Sequence, residues 1–127
     1  MVEHILPYII EYMNKQLTLL PSKEEIQKQI FYFMPKKSQG QDRFSPHVFQ
    51  YFWDLIKRDL YRMITYPLKN GHMGGGINSS FLTLIPKESN PFSFHRFFPI
   101  TLCNFSYKII SKLLAEKIKS TSLKQYL

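Results

Sequence analysis

The chain reads as α+β, rich in helix, with about three main helices and one short pair of strands. Apolar residues at three- and four-residue steps over 46–65, a second helical pattern from about residue 105, and an extended stretch lying between a glycine cluster and a proline lead to that reading. The 127 residues, 44% hydrophobic and 16% aromatic, can supply one core, and a second independent domain is not expected.

Residues 1–21 form a lead-in. Ile5, Leu6, Ile9, Ile10, Met13 and Leu17 have roughly helical spacing, but Pro7 and the stretch from Thr18 to Pro21 keep any helix short. A helical segment over 22–70 comes next. Ser22 precedes Glu25 by three residues, the spacing of a capping box, and Ile26, Ile30, Phe31 and Met34 follow on one face until Pro35, which predicts a helix over 23–34. Lys36 to Arg43 is polar, contains Gly40 and lies between Pro35 and Pro46, so it reads as a loop joining two helices. Ser45 is a natural N-cap with Pro46 at the first helical position, and Phe49, Phe52, Trp53, Ile56, Leu60, Met63 and Ile64 then define a helix over about 46–65. Pro67 and the glycines 71, 74, 75 and 76 are expected to end it.

Residues 71–104 read as a glycine-rich loop and short strands. Ser80 to Pro86 is expected to be a half-buried strand, with a second extended piece near Pro99 to Leu102. Residues 105–127 read as a basic amphipathic helix. At 100° per residue, Lys108, Lys112 and Lys119 fall within about 40° of one another. Tyr107, Ile109, Ile110, Leu113, Leu114 and Ile118 occupy a broad opposite arc that calls for burial on more than one side.

Seventeen Lys and Arg against nine Asp and Glu leave a formal charge of +8, which favours a polyanionic partner, RNA or DNA or an anionic membrane surface, and charge alone does not choose between them. The excess is uneven: residues 1–34 sum to −1, 35–70 to +4 and 71–127 to +5. No apolar run approaches the roughly 20 residues that span a bilayer, and Glu3, His4 and Pro7 interrupt the N-terminus where a secretory leader needs a continuous apolar core, so no membrane partner is expected. A single cysteine, Cys103, excludes an internal disulfide and a cysteine-built zinc site, and the chain reads as intracellular by default.

Two stretches carry a resemblance. In the first, Glu25-Ile26 opens a helix, Pro35-Lys36-Lys37-Ser38-Gln39-Gly40-Gln41-Asp42-Arg43-Phe44 forms the loop, and Phe49-Gln50-Tyr51-Phe52-Trp53-Asp54 begins the next helix. In the second, Leu84-Ile85-Pro86-Lys87, Pro99-Ile100-Thr101-Leu102-Cys103-Asn104 and Tyr107-Lys108-Ile109-Ile110-Ser111-Lys112 follow at fixed spacing. Together, over about residues 10–119, they resemble the start of reverse transcriptases from LINE-type (non-LTR) retrotransposons. The resemblance implies that 1–127 is a single partial reverse transcriptase domain. It would be the N-terminal, fingers-side part of an RNA-directed DNA polymerase, degenerate and lacking the catalytic palm region that would otherwise be its intramolecular partner. It also adds the nucleus as a candidate compartment.

Departures from the family pattern bear on the site. The loop's two family prolines are Gln39 and Gln41, and its second glycine is Arg43, so a position suited to positive φ carries a long cation. Phe98 stands where the family has the arginine of its Arg-Pro-Ile-Ser motif, removing a bidentate contact that a phenyl ring cannot replace. Arg96 lies two positions away but matches another site.

Nucleotide transfer in the intact family uses Mg²⁺ held by carboxylates. Here Asp42 lies in a loop, and Asp54 and Asp59, five residues apart on one helix, point about 140° apart. No catalytic residue and no cofactor are therefore assigned to this chain. Lys87, at a strand end, matches the lysine that the resemblance assigns to nucleotide phosphates; the alternative is a solvated turn lysine. Lys108, Lys112 and Lys119 are candidates for nucleic-acid backbone contact, against the alternative of a solvated helix face. His4, His47, His72 and His95 stand far apart without metal-ligand spacing, and no metal site is proposed. Gly74-Gly75-Gly76 lacks the Lys-Ser/Thr of a phosphate loop. Two rivals remain beside an inactive polymerase fragment: a non-catalytic basic nucleic-acid-binding module, and a relic product with no selected function.

Overall fold

A computed structural model describes residues 11–126, with side chains as far as Thr121. The expected apolar positions Ile5, Leu6, Ile9 and Ile10 lie outside the described residues. Among the described residues, five helices and a two-stranded antiparallel sheet form an α+β fold, as the periodicities predict. In chain order the elements are α1 (Glu11–Thr18), α2 (Lys23–Tyr32), α3 (Pro46–Tyr51), α4 (Trp53–Asn70), β1 (Ser80–Pro86), a single 3₁₀ turn (Phe94–Arg96), β2 (Phe97–Cys103) and α5 (Phe105–Tyr126). No described helix is long and apolar enough to cross a membrane.

One core forms where α2, α3, α4 and α5 meet. It contains Ile26 and Ile30 from α2, Phe49 from α3, Trp53, Leu60 and Ile64 from α4, and Phe105, Ile109, Ile110 and Leu113 from α5. Phe105 lies at its centre, 5.0 Å from the Phe33 ring and 4.9 Å from the Phe49 ring. Burying a side chain of that size contributes about 1.5–3 kcal/mol.

Helix α2 starts as expected, with the Ser22 hydroxyl accepting a hydrogen bond from the Glu25 N–H at 3.1 Å. It ends two residues early. Met34 precedes a proline, which disfavours helical backbone, and Phe33 turns extended (φ −71°, ψ 142°). The turn sends Phe33 into the core, while Phe31 and Met34, expected on the buried face, are exposed. The helix expected over 46–65 is two helices joined at Phe52 (φ −96°, ψ 18°), whose carbonyl accepts from both Leu55 and Ile56. Buried positions 49, 53, 60 and 64 keep their spacing across that joint, whereas Phe52 is 45% exposed. Pro67 does not stop α4. Only three helical residues follow it, and Gly71 (φ 76°) ends the helix instead, donating its N–H to the Pro67 carbonyl at 2.9 Å.

β1 and β2 pair from Ser80 opposite Cys103 to Pro86 opposite Phe97. Lys87 N–H donates to the Arg96 carbonyl at 2.8 Å, which makes Lys87 and Arg96 a hydrogen-bonded pair just beyond the strands. Alternation along the ladder then puts Pro86 and Pro99 at non-hydrogen-bonded positions, where the N–H they lack would face outward. Both prolines are thereby tolerated. β1 is not half-buried as expected: Leu84 is its one partly buried residue, and Phe81, Leu82 and Ile85, with Phe98 and Ile100 of β2, are exposed.

One side chain ties the hairpin and the 36–43 loop to the core. Asn104, between β2 and α5, is 6% exposed. Its carbonyl accepts the Asp42 N–H at 2.9 Å, and its amide donates to the Gly76 carbonyl at 2.9 Å. Gly40 lies flat against this junction: a Cβ there would fall 2.5 Å from the Cys103 carbonyl and the Asn104 nitrogen. Arg43 keeps the positive φ its position calls for (φ 61°), at a cost of roughly 1–2 kcal/mol for a residue with a Cβ.

Candidate nucleic-acid interface

The outer end of the hairpin carries two exposed cations, Lys87 and Arg96, and the exposed rings of Phe92, Phe94 and Phe98. β1 delivers Lys87 to the strand end because Pro86 is the last residue of the ladder, and the Lys87 ammonium lies 4.6 Å from the centroid of the Phe98 ring. A cation over an exposed ring is worth about 0.5–1 kcal/mol. Phe98 thus provides a face against which Lys87 rests. Arg96 lies directly across the ladder from Lys87, with its guanidinium 3.5 Å from the Glu88 carboxylate and 5.9 Å from the Phe92 ring. Phe92 and Phe94 are 85% and 75% exposed.

The three lysines expected on one face of α5 are engaged differently. Lys108 donates its ammonium to the Ser38 carbonyl at 2.9 Å, holding the 36–43 loop. Lys112 is paired with Glu116 at 3.0 Å and lies 4.8 Å from the Tyr32 ring. Its hydrogen bond to Glu116 raises the Lys112 pKa, and the same bond lowers that of the Glu116 carboxyl. Lys119 is exposed and adds to the positive field around Glu116. Lys108 and Lys112 are thus each held by a partner within the chain, and Lys119 faces solvent.

The acidic side chains also have local tasks. Asp42 caps the Phe44 N–H at 3.1 Å, Asp54 pairs with Lys57 at 3.4 Å, and Asp59 lies 3.9 Å from Arg58. Among the described residues, no three His, Cys, Asp or Glu side chains gather at a point able to hold a metal ion. An apolar cleft of about 480 Å³ between the 42–49 segment and α4, floored by Phe49, Leu60 and Met63, brings in Asp42 and Asp59 but no His, Cys or Lys. Cys103 is a half-buried free thiol beside Gly40.

The motif singles out Lys87, whereas Arg96, Phe92 and Phe94 are brought to the same hairpin end without any motif of their own. Arg96 closes the 3₁₀ turn before β2, and its place opposite Lys87 follows from the pairing register, which no local sequence signal fixes.

Compared with known proteins, the chain is 27% identical over 115 residues to the Transposon TX1 uncharacterized 149 kDa protein of Xenopus laevis, a match covering 91% of this chain. The chain spans 9% of the length of that relative. No family model matches. The similarity fits a transposon-derived chain.

Proposed function

We propose that these residues are the fingers-side part of a LINE-type retrotransposon reverse transcriptase, which grips nucleic acid or nucleotide phosphates but does not polymerise by itself. The observation that carries this is the hairpin, in which Lys87 follows directly on the last paired residue of β1, exposed and resting against the Phe98 ring. The similarity to a transposon protein over 115 residues supports the parentage. Asp42, Asp54 and Asp59, each occupied locally, do not form the carboxylate cluster that Mg²⁺ chemistry needs, so no step of nucleotide transfer is derived for this chain.

A template–primer extension assay with Mg²⁺ and all four nucleotides is expected to show no incorporation above a metal-free control, and steady incorporation would refute the proposal. Binding of the chain to oligonucleotides should weaken linearly in log K against log salt. A non-catalytic binding module is the second reading, favoured by the same exposed hairpin end. It is distinguished by origin: a downstream reading frame carrying an aromatic-x-Asp-Asp block supports the polymerase parentage.

A further inference from the structure

We infer that the loop between β1 and β2 is a stacking site for unpaired bases of a single-stranded nucleic acid, with Phe92 and Phe94 as the platforms and Arg96 as the phosphate contact. The inference rests on the nucleic-acid reading above and names the form of nucleic acid. Two rings more exposed than Phe98 project from one loop, separated by Ser93 and followed by His95 and Arg96. Here rings alternate with polar and cationic residues, which is the pattern of a groove that stacks bases and follows a charged backbone.

Charge selects the occupant. Lys87 and Arg96 against the single Glu88 leave residues 87–96 net positive, Lys87 and Arg96 pair through their backbones at the base of the loop, and the Arg96 guanidinium lies 5.9 Å from the Phe92 ring. Arg96 is half-exposed and held by a single carboxylate, Glu88, at 3.5 Å in a water-facing pair, an interaction of the kind worth at most about 1 kcal/mol. A phosphate can displace that partner and gain two parallel hydrogen bonds from the guanidinium. Bases locked in a duplex offer their faces only to one another, so the platform discriminates in favour of single strands.

The test uses the 127-residue chain, a fluorescein-labelled 12-mer of deoxythymidine, the same length of duplex, and vesicles of phosphatidylcholine with 30% phosphatidylserine. The double variant F92A/F94A should lose at least 10-fold in affinity for the single strand, since each stacked base contributes about 1–3 kcal/mol. Its salt slope should not change, because no charge is removed, and duplex affinity should be unaffected. The variant R96Q should lower the slope by about 0.7. Both rings are exposed, and a thermal melt matching the parent confirms that each variant folds. Wild-type affinity in F92A/F94A overturns the inference, as does a loss confined to vesicle binding, which would make the loop a membrane-insertion device. If F92A/F94A is neutral while K87Q/R96Q abolishes oligonucleotide binding, the proposed function stands and the stacking site falls. If the parent chain binds neither the oligonucleotide nor a nucleoside triphosphate at low salt, both fall together.

Discussion

Replacing Gly40 by alanine tests the packing of the 36–43 loop on the start of α5. The added methyl would lie 2.5 Å from three backbone atoms of Cys103 and Asn104, none of which can rotate aside as a flexible side chain would. The loop must lift. Overpacking of this kind costs about 1–3 kcal/mol. Lifting also breaks the Asp42-to-Asn104 hydrogen bond of 2.9 Å, which adds about 1 kcal/mol. A total of about 2–4 kcal/mol, divided by an unfolding entropy of roughly 2.1 cal/mol/K per residue over 127 residues, lowers Tm by about 7–15 °C. The control is Gly75→Ala, where nothing lies within 4 Å of the new Cβ. It should move the melt by no more than about 0.5–1 kcal/mol in either direction. Circular dichroism melts of both variants decide the matter. A Gly40→Ala protein melting within 1–2 °C of the Gly75→Ala control would show that the loop does not rest on this junction.

Asn104→Ala leaves the Gly76 carbonyl and the Asp42 N–H without their partner, and a loss of about 2–3 kcal/mol in chemical denaturation is expected, with the m-value unchanged. The Glu116 carboxyl, lowered first by its hydrogen bond from Lys112, should titrate below an ordinary glutamate by NMR and return toward the ordinary value in Lys112→Ala. Its sign follows from linkage. The depressed carboxylate favours the fold above the ordinary glutamate pKa and loses that contribution as pH falls through the folded value, while the raised Lys112 loses its own contribution as pH climbs past the ordinary lysine range. A Glu116 midpoint indifferent to Lys112 would remove the pair. Ile118→Glu, at a position 60% exposed on α5, should change stability by less than about 0.5 kcal/mol, and a larger loss would place Ile118 against a partner surface.

Sequence patterns located the elements well where local chemistry decides them. Ser22 and Glu25 marked the start of α2, Ser80 to Pro86 coincided with β1, and the change at residue 105 coincided with the start of α5. Errors arose where the outcome depends on neighbours. Alternation in β1 implies burial of one face only if something covers it, and among the described residues nothing does, so Phe81, Leu82 and Ile85 remain exposed. Pro67 reads as a stop signal in isolation, yet with Gly71 four residues on, the last turn absorbs it. Helical periodicity placed Lys108 and Lys112 on one face correctly but could not reveal that Ser38, 70 residues earlier in the chain, would take the Lys108 ammonium. Gly40 looked like an ordinary loop glycine, and its packing against Cys103 and Asn104 depends on contacts more than 60 residues away in sequence.

The placement of Asn104 links stability to the candidate interface. It follows the last residue of β2 directly, and its side-chain amide holds Gly76, four residues before β1 begins, so a single side chain fastens both entrances to the hairpin. A two-stranded ribbon is marginal when isolated, and this one is exposed on both faces. Its direction relative to the core therefore has to be set at the base, where Asn104, Gly40 and the buried Phe105 meet. The far end is then free to carry residues that contribute little to folding: Lys87, Phe92, Phe94 and Arg96 are exposed, and their burial is not needed to hold the helices together. Support at one end and exposed cations and rings at the other is the arrangement that the proposed contact with nucleic acid would use.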